Sequence, residues 1–228
     1  MKDPGNYFEN LFLDRRITVK QMAALTTDHI GKLRNQDKRS GGQWNARLAA
    51  TVEAMAEFDH AISDDMTQAD FRKARKLTKN RFRRALPRRV RAIVNWVVAE
   101  YGETSPQVTA IVGSGTTPLR SLPDDEVENY LKKVITGLKP LVATVGQKRL
   151  DEAEALKAEW APIYAASEQA TTAKRLAEER LRAAKAALSD VLFVTLLEII
   201  KAHRHRPEVL GNFFTPSLAG GRPLRPRR

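Results

Sequence analysis

The stretch FRKARKLTKNRFRRALPRRVRAIVNWVVA, residues 71–99, decides how this chain is read. Apolar and small residues recur in it at steps of three and four. They are Phe71, Ala74, Thr78, Phe82 and Ala85 before Pro87, continued by Leu86, Val90, Ile93, Val94 and Val97. That period lines one face of an α-helix. The other faces carry Arg72, Lys73, Arg75, Lys76, Lys79, Arg81, Arg83, Arg84, Arg88, Arg89 and Arg91, with no acidic residue among them. The chain's net charge is +12, so these cations, joined by Arg222, Arg225, Arg227 and Arg228, outweigh the surplus of the whole molecule. Positive charge is therefore local, which is the pattern of an anion-binding surface.

Outward from this stretch the same helical spacing recurs, and no run alternates as a strand would. The chain reads as all-α, an up-and-down bundle of helices. A first helix is expected over about 7–36, broken near Arg16 and stopped before Ser40, Gly41 and Gly42. A second, over about 44–64, carries Trp44, Leu48, Val52, Met55, Phe58 and Ile62 on one stripe. After a break at 63–67 the basic helix runs to Tyr101, with Gly102 as its stop. A loop of about twenty residues containing Gly113, Gly115, Pro118 and Pro123 reads as a linker. Ser121 then reads as an N-cap, with Asp124, Asp125 and Glu126 in the first turn, where negative charge opposes the helix dipole. Pro140 and Gly146 punctuate the next segment, a helix over about 148–166 is bounded by Pro162, and a last one covers about 168–203. The expected organisation is a first helical half at 1–110, a linker at 111–123, a second half at 124–210 and a disordered Arg/Pro tail at 211–228.

The halves read as a duplication. A constant shift of 101 residues pairs Ile30 with Leu131, Leu33 with Val134, Met55 with Leu156, Ile93 with Val194 and Val98 with Ile199. It also pairs Pro106 and Val108 with Pro207 and Val209, just past each long helix. The alanine-rich stretch from Glu159, Trp160 and Ala161 to Ala187, with Tyr164, Lys174 and Arg182, resembles a loose group of bacterial alanine-rich helical proteins. So does Tyr101-Gly102-Glu103-Thr104-Ser105-Pro106 at the close of the basic helix. The resemblance implies a helical bundle built from duplicated halves. It implies no activity and carries no functional residue over.

Two accounts of the basic helix follow. In the first, Glu53, Glu57, Asp59, Asp64, Asp65 and Asp70 form an acidic helix that folds back antiparallel on the basic one and neutralises part of it. In the second, Arg72, Lys73, Lys76, Lys79, Arg83, Arg84, Arg88 and Arg91, helped by the arginine tail, follow the phosphates of a nucleic acid. Stacking aromatics are scarce in that account, because Phe71 and Phe82 fall on the core stripe. A helix-turn-helix within Thr18–Gln36 fails at its turn, where Asp28 stands in place of an apolar anchor.

No catalytic pattern accompanies the charge. The chain has no cysteine, which excludes disulfides and thiolate chemistry. Glu57 and His60 have the Glu-x-x-His spacing of di-iron bundles, but no second copy exists and both fall away from the apolar stripe. His203-Arg204-His205 reads as a helix end, and Gly113-Ser114-Gly115-Thr116-Thr117 lacks the lysine of a phosphate loop. Trp44, Trp96 and Trp160 read as packing residues. No metal, cofactor or catalytic residue is expected. The N-terminal segment has no secretory apolar run, and Val191–Ile200 is about half a membrane span, so a cytoplasmic protein without membrane contact is expected. The expected function is a non-catalytic structural or protein-interaction module. The alternative is a nucleic-acid binder without sequence preference. Candidate partners are nucleic acid, an acidic protein or a second copy of the chain.

Overall fold

The structure, a computed structural model, describes residues 9–113 and 117–219. Six α-helices and no strand occur among them. They are α1 Val19–Arg39, α2 Asn45–Tyr101, α3 Pro106–Val112, α4 Val127–Leu138, α5 Val142–Val145 and α6 Gln147–Ala202, joined by short 3-10 turns. The all-α expectation holds. The arginines at 222–228, Tyr7 and the middle of the 113–117 segment lie outside the described residues.

Helix ends follow local chemistry. Thr18 accepts a hydrogen bond from the Gln21 N–H, and the Gln21 side chain accepts one from the Thr18 N–H. This reciprocal box starts α1 later than the expected residue 7 and satisfies two donors that a helix start leaves free. The Asp37 carboxylate accepts the Trp44 N–H at 2.6 Å and so closes the turn into α2. Gly102 ends α2 as expected, at φ +82°, a backbone conformation that favours glycine.

Two expected boundaries are absent. Helix α2 runs 57 residues without a break at 63–67, and α6 runs 56 without one near Pro162. Both are held by long runs of good helix formers, which sustain a helix through a local defect. Helix α2 also continues through Pro87, whose missing N–H leaves the Arg83 carbonyl without its usual donor. Because α2 is continuous, the acidic residues at 44–70 and the basic ones at 71–91 occupy successive turns of one helix. The neutralising hairpin is therefore corrected: no turn exists to fold one onto the other.

The chain forms two compact units. The first joins the described residues up to Thr67 to those from Arg175 onward, and the second spans Gln68–Lys174. The expected partition at 110 and 124 cuts through the second unit, because both long helices contribute a segment to each unit. In the first unit the two segments run antiparallel, with Arg47 bound to Glu198 at 2.9 Å and Asp64 to Arg180 at 3.6 Å. Its core gathers Phe12, Ile17, Met22, Leu25, Leu33, Trp44, Phe58, Leu188, Leu192 and Ile199. Phe213 and Phe214 complete that core, Phe213 packing edge-on to Trp44 at 5.4 Å. Two 3-10 turns, Pro207–Asn212 and Pro216–Ala219, carry this segment. The expectation of a disordered tail from residue 211 is thus wrong as far as residue 219.

In the second unit α2 and α6 are again antiparallel, with Arg89 bound to Glu159 at 2.6 Å. The core runs from Phe82, Leu86, Val90, Ile93, Val94 and Val97 to Val127, Leu131, Val134, Leu138, Leu156 and Trp160. The expected linker belongs to this core. Ser105 caps α3, Pro106 occupies its first turn, and Val108, Ile111, Val112 and Leu119 are buried. Ile111 lies so close to Gly137 of α4 that a Cβ there would stand 2.7 Å from Cγ1 and 3.2 Å from Cα.

Buried positions of the long helices coincide at a shift one residue longer than the expected one. Thr51 and Ala153, Phe58 and Trp160, Leu86 and Leu188, Val90 and Leu192, and Val97 and Ile199 are all buried pairs. The expected shift of 101 pairs buried Ile93 with exposed Val194. One residue rotates a helix by about 100°, enough to move a position off the core face.

Candidate functional site

The basic segment of α2 divides into two parts. From Asp70 to Thr78 every residue is exposed, so the expected apolar stripe of Phe71, Ala74 and Thr78 buries nothing here. Phe71 is 56% and Leu77 59% exposed. Core contact begins at Phe82, whose ring lies 5.3 Å from that of Trp160. Beyond Pro87, Val90, Ile93, Val94 and Val97 are buried as expected. Ala85 is exposed, a further departure from the expected stripe.

The cations separate by partner. Asp124, in the 3-10 turn ahead of α4, accepts Lys79 at 2.7 Å and Arg83 at 3.3 Å. Glu168 stands 3.7 Å from the same ammonium. The Arg83 guanidinium also donates to the Leu122 carbonyl. Lys79 and Arg83, each 14% exposed, are thus clamps that hold the 120–126 segment against α2. Arg89 pairs with Glu159 and lies 5.6 Å above the Phe82 ring. Lys73 reaches only its neighbour Asp70, at 3.0 Å and in full exposure, a pair worth little in water.

Arg72, Arg75, Lys76, Arg81, Arg84 and Arg88 are exposed and make no ion pair with any described residue. Of the residues the spacing singles out, Arg72, Lys76, Arg84 and Arg88 remain available. Lys79 and Arg83 are engaged by Asp124, Lys73 by Asp70, and Arg91 is exposed with interactions of its own. Arg75 and Arg81 join the free set, although the spacing does not single them out. Leu77, Arg81, Arg84, Ala85, Arg88 and Arg89 line one open groove along the helix. Phe71 lies on the same helix one turn from Arg75, so a stacking aromatic stands among free cations where none is expected.

The other chemistry stays dispersed. Glu57, Asp59 and His60 are all exposed, and Asp59 makes no ion pair with the basic segment among the described residues. No group of three or more His, Asp or Glu side chains with metal-binding geometry occurs among the described residues. Residues 19–39 form one uninterrupted helix, which leaves no place for a helix-turn-helix turn. Trp44 and Trp160 are buried, but Trp96 is half exposed beneath the Arg149 guanidinium, 4.5 Å from its ring. No described helix is long and apolar enough to cross a membrane. Comparison with protein-family models, curated proteins and solved structures found no match for this chain.

Proposed function

We propose that this protein is a non-catalytic helical binding module whose basic α2 segment engages a polyanion, with nucleic acid the partner of best-matched chemistry. One observation carries the reading: Arg72, Arg75, Lys76, Arg81, Arg84 and Arg88 stay exposed and unpaired along one helix. Like charges at i,i+4 cost a few tenths of a kcal/mol per pair, and the acidic residues that would offset them lie in line on the same helix. Lysine and arginine rows of this kind release condensed counterions from phosphates, which gives affinity without sequence preference. Exposed Phe71 adds a platform on which an unpaired base can stack.

A second reading, association with a protein, is supported by a separate feature. Val194, Leu197 and Ile200 of α6 are exposed although their segment is the most apolar in the chain. The matching of buried positions in α2 and α6 supports, in addition, an origin by duplication.

The test is a mobility shift with arbitrary single- and double-stranded DNA at about 50 mM salt, where electrostatic binding is strongest. The wild-type chain retards both. The variant carrying Arg72→Gln, Arg75→Gln, Arg81→Gln and Arg88→Gln retards neither, with its helical circular dichroism unchanged. Equal retardation by both proteins would refute the assignment to α2.

A further inference from the structure

The geometry points to a phosphate-binding subsite in the second unit, in the cavity of about 470 Å³ lined by Asn80, Arg83, Arg84, Arg120 and Asp124. This inference rests on the polyanion reading and names the point at which one phosphoryl group is held. Three arginines line the cavity from two elements, Arg83 and Arg84 from α2 and Arg120 from the 3-10 turn Thr117–Arg120. The only carboxylate on its wall, Asp124, is already shared by Lys79 and Arg83. Arg84 and Arg120 make no ion pair with any described residue, so the cavity keeps a positive surplus.

Arg83 is fixed in place. Its Nε faces Asp124 and its Nη2 donates to the Leu122 carbonyl, which sets the plane of the guanidinium. The remaining nitrogen, Nη1, is buried and has no hydrogen-bond partner among the described residues. A buried charged donor without an acceptor is costly, and a water or an anion drawn in from the cavity is one way to supply the missing oxygen. Several guanidinium side chains contributed by two elements suit a tetrahedral oxyanion with several acceptor oxygens better than a flat carboxylate. The ligand class is therefore a phosphate group, borne by a nucleic acid or free in solution.

Calorimetric titration of the full chain with inorganic phosphate, at about 50 mM chloride, tests this. Saturable binding is expected, weakened about tenfold or more by Arg120→Gln or Arg84→Gln, both exposed positions whose loss leaves the core untouched. Arg39→Gln, on α1, leaves it unchanged. A parallel arm compares one oligonucleotide bearing a 5′-phosphate or a 5′-hydroxyl. Preference for the phosphorylated end that disappears with Arg120→Gln supports a terminal phosphate, and equal affinities lowered together support a backbone phosphate. Phosphate binding that Arg120→Gln abolishes, with no oligonucleotide binding, supports the subsite and removes the polyanion reading. Oligonucleotide binding untouched by Arg120→Gln, with no saturable phosphate binding, overturns the subsite and leaves that reading standing.

Discussion

His29 is buried within the first unit, its ring stacked 4.0 Å from Phe214 and its Nδ1 donating to the Phe213 carbonyl at 2.8 Å. Burial pushes its pKa below the ordinary value of 6.5, the Phe213 carbonyl and Asp28 oppose the shift, and Lys32 adds to it. A depressed imidazole pKa means that the unfolded chain binds the proton more readily than the folded one. The stability contributed by neutral His29 is complete above pH 6.5 and is lost as pH falls below that value through the folded pKa. Melting temperature is therefore expected to fall on acidification in that window, with a flatter profile in His29→Gln. Titration of the His29 ring by NMR at or above 6.5 would contradict this. Phe213 belongs to the same cluster, and Phe213→Ala is expected to cost about 3–5 kcal/mol in denaturant unfolding. Sequence composition hides that contribution, since Gly211 and the following Pro and Arg residues suggest disorder while the two phenylalanines anchor the segment.

At the scale of single elements, α3 shows how a legible signal can be outweighed. Ser105 and Pro106 form a good helix start, and Val108, Ile111 and Val112 give it a buried face, yet the glycines and prolines further on suggest a linker. Gly137 opposite it has no sequence signature at all, because its role depends on a contact with Ile111 from another helix. Gly137→Ala gains up to about 1 kcal/mol of helix propensity but forces a Cβ into Ile111, an overpacking that costs about 1–3 kcal/mol. Net destabilisation of up to about 2 kcal/mol is expected, read as a lower denaturation midpoint; a stabilised variant would show that the helices yield freely. The basic segment of α2 predicts the opposite sign. Replacing Arg72, Lys76, Arg84 and Arg88 with Gln relieves two i,i+4 repulsions, so stability should rise by up to about 1 kcal/mol while polyanion affinity falls. A loss of stability instead would mean that these cations have structural partners.

At the scale of the molecule, helix class and the location of the charge are readable from periodicity and composition. The stripe from Leu86 to Val97 and the stop at Gly102 emerge as read. What could not be read is pairing between distant segments. That Asp124 and Glu159 engage the cations, rather than Glu53 or Asp59, follows from long-range contacts within the second unit. For the same reason the free set of cations differs from the one that spacing alone selects. The partition into units is equally hidden, since each combines chain segments far apart in sequence. The account's central claim, that an unpaired cationic face on α2 binds polyanions, is tested most directly by the dissociation constant for a DNA duplex across a salt series. With about six phosphate contacts, affinity should fall by about 10³-fold between 50 and 200 mM salt, and the slope should shallow by about one for each of the six cations neutralised. A flat salt dependence, or the same slope after their replacement, would contradict it.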